Sequence, residues 1–261
     1  MSAAPDHDSS DLPLGPGVVV LAQHACGLLA LGKPEGVLSH PNKPGESTRA
    51  LLVADYSEEH QSYTLPRAPG AKPRRVWLLH RLDSATSGVI LVATVESVAE
   101  AVRAAFETRS VRKRYVAVVL GHPREKRALW RDHMQVRAEG GSVRAASRGG
   151  LAAESAMRLL RLVPGPPALA AIELEPHTGR THQLRFQCSR RQLPILGDQN
   201  YGNFRLNREL ARRFGTDRLF LHARHVACDF ALASGARLRF EAEAPLPNEF
   251  RPFVCASPKR R

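Results

Sequence analysis

The chain has little cysteine. Its 261 residues include four, Cys26, Cys188, Cys228 and Cys255, scattered with no C-x-x-C pair. That spacing argues against a zinc ribbon and against a disulfide framework, and leaves buried or incidental free thiols. Long apolar runs are missing as well, and none approaches the ~20 residues needed to span a bilayer. The N-terminus carries Asp6, Asp8 and Asp11 and lacks the basic start and apolar core of a signal peptide, so the protein reads as cytoplasmic. No Gly-x-x-x-x-Gly-Lys-Ser/Thr occurs, and no G-x-G-x-x-G opens a helix after a strand. NTP hydrolysis and dinucleotide redox chemistry lose support accordingly. There is no internal repeat of solenoid period.

Acid is also in short supply. Asp and Glu number 25 against 38 Lys and Arg, a net charge of +13. A balance this basic suggests a polyanionic partner, most often nucleic acid, unless it is a solvated surface in a chain that favours Arg. The excess clusters at residues 109–148 and 185–218, where Tyr115, Phe186, Tyr201 and Phe204 stand as candidates for stacking on bases or as ordinary core aromatics.

Along the chain, residues 1–16 are polar and Pro/Gly-rich, the pattern of a disordered tail, and residues 256–261 form a basic tail. Between them, residues 17–255 are read as one domain. Val18-Val19-Val20-Leu21 and Leu28-Leu29-Ala30-Leu31 predict two strands, and residues 32–41 a shaped loop. A short helix is expected over 46–56 and a long surface loop over 57–75. Apolar residues at three- and four-residue spacing predict a helix over 94–108. Strands are expected at 111–121, 156–163, 169–174, 219–223 and 238–242, and helices after Arg185 to about Arg191 and at 207–214. Residues 122–150 read as irregular and basic. Strands and helices mix without the alternation of a doubly wound fold, which favours α+β with a largely antiparallel sheet.

One stretch gathers chemistry between two apolar segments: Leu79-His80-Arg81-Leu82-Asp83-Ser84-Ala85-Thr86-Ser87-Gly88. It reads either as a functional loop on a rigid scaffold or as an ordinary turn. Asp83 has no second acid nearby for a glycosidase-type pair, but a lone carboxylate kept ionised by a cation can serve as nucleophile or base. His177 with His182, and His222 with His225, suggest a metal site only faintly. The i, i+4 zinc pair with its Glu is absent, and hydrogen-bonded structural histidines are the simpler reading.

Several of these stretches together resemble one family. His80-Arg81-Leu82-Asp83-x-x-Thr86-Ser87-Gly88 resembles the signature of pseudouridine synthases of the ribosomal large subunit synthase A type. Lys33-Pro34-x-Gly36 with His40-Pro41, Arg114-Tyr115-x-Ala117-x-Val119-x-Gly121, and Thr178-Gly179-Arg180-Thr181-His182-Gln183-Leu184-Arg185 follow the same family's pattern. So do Pro194-x-Leu196-Gly197-Asp198 with Tyr201-Gly202, Leu221-His222-Ala223, and Ala244-Pro245-Leu246-Pro247. The likeness runs in order from about Val18 to Phe253.

The resemblance implies isomerisation of uridine in RNA (rRNA or tRNA) to pseudouridine, with no cofactor and no metal. It implies the family's mixed, mostly antiparallel sheet, with a central catalytic cleft flanked by helices and loops. Asp83 matches the catalytic aspartate, Tyr115 the active-site tyrosine that packs on the base, and Arg185 the basic partner of the aspartate. Arg81 matches the arginine that takes the flipped nucleotide's place, and Leu221 an apolar contact near the base. His80, Thr86, Arg180, His182 and Gln183 are further motif positions expected to meet RNA. RNA is the expected partner, with no membrane, and the chain is expected to act as a monomer. Departures from the pattern are Ser84-Ala85 for the usual charged pair, Phe186-Gln187 where Val-His is usual, a missing acid near Gln23-His24, and the 122–150 segment. The rival readings are a catalytically silent RNA-binding or ribosome-assembly protein on the same fold, and a metal hydrolase using the four histidines.

Overall fold

A computed structural model describes residues 11–65, 73–139 and 142–255. In chain order the strands begin with β1 (Val19–Gln23), β2 (Leu28–Lys33), β3 (Asp55–Ser57), β4 (Ser62–Leu65), β5 (Arg74–Leu78) and β6 (Ser87–Ala93). Helix α1 (Glu96–Glu107) precedes β7 (Val111–Leu120), β8 (Arg127–Glu139), β9 (Ser142–Val163) and β10 (Leu169–Pro176). Helices α2 (Gln183–Arg190) and α3 (Phe204–Phe214) follow, then β11 (Leu221–Ala231), β12 (Arg237–Glu243) and α4 (Arg251–Val254). The ladders are antiparallel: β1 with β2, β2 with β6, β3 with β4, β4 with β5, β5 with β6, β7 with β10, β9 with β10, β8 with β9, and β11 with β12. The fold is thus α+β with mostly antiparallel pairing.

The chain divides into two compact units, one of Met1–Val111 with His225–Ala244 and the other of Arg112–Arg224 with Pro245–Arg261. In the first unit the strand order is β3-β4-β5-β6-β11, with β2 on β6, β1 on β2 and β12 on β11. Strand β6, Ser87-Gly88-Val89-Ile90-Leu91-Val92-Ala93, is buried at every position. Its apolar run has no polar alternation because neither face meets water. Helix α1 turns Val98, Ala99, Val102 and Ala105 inward, and these join Leu28, Ala30, Trp77, Leu79, Val89 and Leu91 in one core. This is the burial its three- and four-residue spacing predicts.

In the second unit the order is β11-β7-β10-β9-β8. Tyr115 of β7 pairs across the ladder with Leu174 of β10. Met134, Ala153 and Phe186 form a smaller core with Tyr201 against it.

Four expectations need correction. Residues 46–56 hold no α-helix. A 3₁₀ turn at Ser47–Arg49 leads into extended chain in which Ala50, Leu51 and Leu52 are fully buried, with bridges from Leu38 to Ala50 and from Leu14 to Leu52. Three consecutive buried residues suit a segment covered on all sides, not a helix with one wet face. Residues 57–75, expected as a loop, contain the end of β3, all of β4 and the start of β5; residues 66–72 lie outside the described ones. Residues 122–150 are mostly the β8–β9 hairpin. Trp130 and Met134 face inward in alternation with exposed Arg131 and His133, but the surrounding arginines hid that period-two pattern. Finally, Leu12 is buried and Leu14 is bridged, so residues 12–15 are packed where a tail was expected, while residues 1–10 and the basic 256–261 lie outside the described residues.

All four cysteines are free; Cys188 and Cys228 are buried and Cys255 is exposed. Among the described residues no helix is long and apolar enough to cross a membrane.

Candidate active site

In the first unit, Leu79 and Leu82 anchor the loop between β5 and β6 in the core, while Arg81 is exposed and Asp83 half-buried. The loop's backbone is fastened from the upstream loop at residues 33–40. Ser39 Oγ donates to the Leu82 carbonyl at 2.7 Å and accepts the Leu82 N–H at 3.0 Å. Gly36 N–H donates to the Ser84 carbonyl at 2.8 Å, and Thr86 N–H closes the turn on the Asp83 carbonyl at 3.0 Å. Gly36 sits at φ +80°, a conformation glycine adopts without steric cost.

Lys33 completes the fastening. It is 2 % exposed, and its Nζ donates to the carbonyls of Pro34 at 2.9 Å, Val37 at 2.6 Å and Ser84 at 2.9 Å. A lysine ammonium has three donors, so the cage uses all of them. Burial pushes the ammonium down to about 7, with the negative charges of Asp83 and Glu35 pulling the other way. The Ser84 carbonyl accepts from both Lys33 and Gly36, while the Ser84 and Ala85 side chains take no part in this fastening. The motif's departure at these two positions therefore leaves the backbone that carries Asp83 intact.

Arg81 is aimed by His40, whose Nε2 accepts from Arg81 Nη1 at 3.2 Å and whose Nδ1 donates to the Pro41 carbonyl at 3.0 Å. The His40 ring stacks on Tyr56 at 4.7 Å and 12°. His80 is used differently: its Nε2 accepts the Leu91 N–H at 3.1 Å and its ring packs near Phe106. Thr86 is buried. These contacts tie His80 to β6 and α1.

In the second unit, Arg185 is 5 % exposed on α2. Its Nε and Nη2 form a fork on the two carboxylate oxygens of Asp198, each at 2.8 Å, and Nη2 also reaches Asn200 Oδ1 at 2.9 Å. Asp198 accepts two further backbone N–H groups, from Asn200 at 2.8 Å and Tyr201 at 3.0 Å. Burial alone would raise its carboxyl; the Arg185 fork and those amides outweigh burial and hold it below the usual carboxylate range. The close turn depends on glycine: a Cβ on Gly197 (φ +79°) would lie 1.8 Å from the Arg218 carbonyl oxygen. Asn207 of α3 ties to the same turn, accepting the Gly197 N–H at 3.1 Å and donating to the Asp198 carbonyl at 3.0 Å.

Gln183 is buried and its amide is fully used. It donates to the Glu154 carbonyl at 3.0 Å and Ser155 Oγ at 2.9 Å, and accepts from Thr178 Oγ1 at 2.7 Å and Arg180 N–H at 3.1 Å. No donor or acceptor is left for RNA, so Gln183 shapes the signature loop. Arg180 is exposed, with Nε on the Ala152 carbonyl at 3.3 Å. His182 enters α2 at φ +56° with its ring against Tyr201. Tyr115 and Leu221 are buried, and Phe186 belongs to the core.

Gln187 makes sense of another departure. Fully buried, it accepts from Ser155 Oγ at 2.7 Å and donates to Asp132 Oδ2 at 2.9 Å and the Ala153 carbonyl at 3.2 Å. Arg191 donates to the same Asp132 oxygen at 2.8 Å. The residue thus belongs to the β8–β9 hairpin's own polar network.

The structure therefore gathers His80, Arg81, Asp83 and Thr86 on one loop of the first unit. In the second, it gathers Arg180, His182, Gln183 and Arg185 at the start of α2. The motifs marked both regions. The holding groups Lys33, Ser39, His40, Asp198 and Asn207 had no assigned role; the signal for Lys33 was a charge at the end of an apolar strand. His177 pairs with Glu154 at 3.0 Å and His225 with Glu241. Among the described residues no group of three His, Cys, Asp or Glu side chains is placed to hold a metal ion.

Comparison with known proteins gives the chain's family. A model of the RNA pseudouridylate synthase family matches residues 27–190. The chain is 33 % identical over 210 residues to tRNA pseudouridine synthase C of Yersinia pestis, covering 76 % of each chain. It is 31 % identical over 186 residues to ribosomal large subunit pseudouridine synthase C of Vibrio cholerae, covering 69 % of this chain and 55 % of that one. Among solved structures it is similar to human RNA pseudouridylate synthase domain containing 4, with TM-score 0.61 and 26 % identity over 88 % of this chain and 89 % of that one.

Proposed function

Since the chain belongs to the RNA pseudouridylate synthase family, it isomerises uridine in RNA, and we propose that Asp83 is the carboxylate on which the reaction turns. The observation that carries this assignment is the fastening of its loop. Lys33, Gly36 and Ser39 hold the backbone on both sides of Asp83, while the Arg81 and Asp83 side chains keep solvent access. A held backbone under reachable side chains is what preorganised chemistry needs.

The target bond is hidden in a base stack, so the nucleotide is extruded at a cost of a few kcal/mol. Arg81, aimed by His40, fills the vacated place and holds phosphate. Tyr115 packs on the extruded base, with Leu221 as a further apolar contact. Breaking the N1–C1′ bond builds positive character at the sugar carbon, which the Asp83 carboxylate stabilises. The freed uracil turns, C5 bonds to C1′, C5 loses its proton and N1 takes one. Atoms and electrons balance without an oxidant, a cofactor or a metal. Arg185, the basic residue of the second motif, is held in place by the Asp198 fork. The substrate is tRNA or rRNA, and the chain acts as a monomer.

The test is pseudouridine mapping after incubating the purified protein with unmodified tRNA and rRNA transcripts. The wild type forms pseudouridine at defined positions, and Asp83→Asn forms none while binding the same RNA equally well. A variant that modifies RNA at the wild-type rate would overturn the assignment. A wild type that binds RNA and modifies nothing would favour the catalytically silent alternative.

A further inference from the structure

Helix α3 shows two faces. Asn203 caps it by accepting the Leu206 N–H at 3.0 Å, and Gly215 (φ +69°) ends it. One face buries Asn207 and Leu210. The other presents Arg205, Arg208 and Arg212, all exposed, at spacings of three and four that put them in one row. At 1.5 Å rise per residue the row is about 10 Å long. Phe204 is 54 % exposed at its start.

Helix stability accounts for Arg212, in the last turn where a cation suits the dipole, but not for Arg205 and Arg208. The first turn holds Arg205 and no acid, although the positive end of the helix dipole disfavours a cation there. Neighbouring like charges on one face repel one another as well. Glu209 is the helix's one acid. Three other exposed arginines of this unit are neutralised: Arg131 by Glu154 at 2.8 Å, Arg158 by Glu173 at 3.0 Å, and Arg190 by Asp132 at 3.4 Å. Among the described residues, Arg205, Arg208 and Arg212 have no ion-pair or hydrogen-bond partner.

We propose that the Arg205–Arg208–Arg212 face of α3 is a docking ridge for the phosphate backbone of the substrate RNA. The inference rests on the reading of the chain as an enzyme acting on RNA, and adds where that RNA is gripped. Guanidinium groups suit phosphate because their donors match its oxygens in pairs. The ridge is not a loose appendage. Asn207, on its buried face, bonds the Gly197-Asp198 turn whose carboxylate clamps Arg185. RNA seated on α3 is therefore registered against Arg185 through two side chains.

The experiment measures binding of a fluorescein-labelled unmodified tRNA transcript between about 50 and 200 mM salt. It compares the wild type, the triple variant Arg205→Gln/Arg208→Gln/Arg212→Gln, and a charge-matched control, Arg131→Gln/Arg158→Gln/Arg239→Gln. Each arginine that meets a phosphate steepens the log–log salt dependence by about 1. The α3 variant is expected to lose about 2 to 3 of that slope and raise KM for RNA, with kcat little changed, while the control loses less than about 1. Thermal unfolding of the α3 variant near the wild-type midpoint confirms that it folds. An unchanged slope, or an equal loss in the control, would overturn the ridge; the first outcome points to another anionic partner, the second to diffuse surface charge. Because binding is read without turnover, a wild type that binds through α3 but forms no pseudouridine leaves the ridge standing and sinks only the catalytic reading.

Discussion

Lys33 Nζ donates at 2.9 Å to the carbonyl of Ser84, 51 positions away and adjacent to Asp83. A buried ammonium thus holds the backbone next to the candidate catalytic carboxylate, whose charge acts on it in turn. Replacing Lys33 with methionine, an apolar side chain one atom shorter, leaves three carbonyls without this donor, that of Val37 in a buried bond. Lys33→Met is expected to lose roughly 2–4 kcal/mol of stability, read by urea unfolding. The pH dependence has a definite sign. The folded-state pKa of about 7 lies below that of the unfolded chain, so between pH 7 and about 10 the unfolded chain binds the extra proton. The gap in stability between wild type and Lys33→Met should widen as pH rises through that window. A pH-independent gap would show that Lys33 stays charged.

Asp198→Asn removes the charge from a pair whose side chains are 6 % and 0 % exposed. Leaving Arg185 buried without its counter-ion is expected to cost about 3–5 kcal/mol. Because the Asp198 carboxyl lies below its unfolded value, its contribution is present above that unfolded value, near pH 4, and is lost as pH falls through the folded one. Acid titration of wild type and variant by circular dichroism should therefore converge at low pH. Curves that stay parallel would contradict the pair's role.

Gly197→Ala should be among the most damaging of small substitutions. Its Cβ meets backbone at 1.8 Å in a left-handed conformation, so strain and displacement together are expected to cost roughly 2–5 kcal/mol. Differential scanning calorimetry reads this directly, and a midpoint within a degree of wild type would refute it.

Arg81→Gln should separate function from folding. Arg81 is exposed and its one described partner is His40, so stability should change by no more than about 0.5 kcal/mol. Pseudouridine formation should slow by about tenfold or more, equivalent to ~1.4 kcal/mol or more of the flipping cost. Single-turnover kinetics on RNA that already presents the uridine in a flexible single strand should recover part of that loss.

The sequence was most legible where a pattern is local. The spacing of Val98, Ala101, Val102 and Ala105 marks α1 because a helix repeats every few residues, and the Asp83 loop stands out because polar residues interrupt apolar ones. It was least legible where meaning depends on a distant partner. Nothing near Lys33 announces that its ammonium closes on Ser84, and nothing near Asp198 announces Arg185. Gln183, conspicuous in its motif, proved to spend its whole amide on neighbours in β9 and its own loop. Strand β8 and the first part of β9 escaped notice because the sequence there is crowded with arginine, which hides an alternation that Trp130 and Met134 nevertheless carry.

The Asp132–Gln187–Ser155 network has an evolutionary corollary. Gln187 is bonded to Asp132 and Ser155, 55 and 32 positions away, so drift at any of the three is penalised until the others follow. Relatives with histidine in place of Gln187 should carry a different pair at the other two positions, and the three should be inherited as a set. Transplanting histidine alone into this chain ought to fail where moving all three together succeeds.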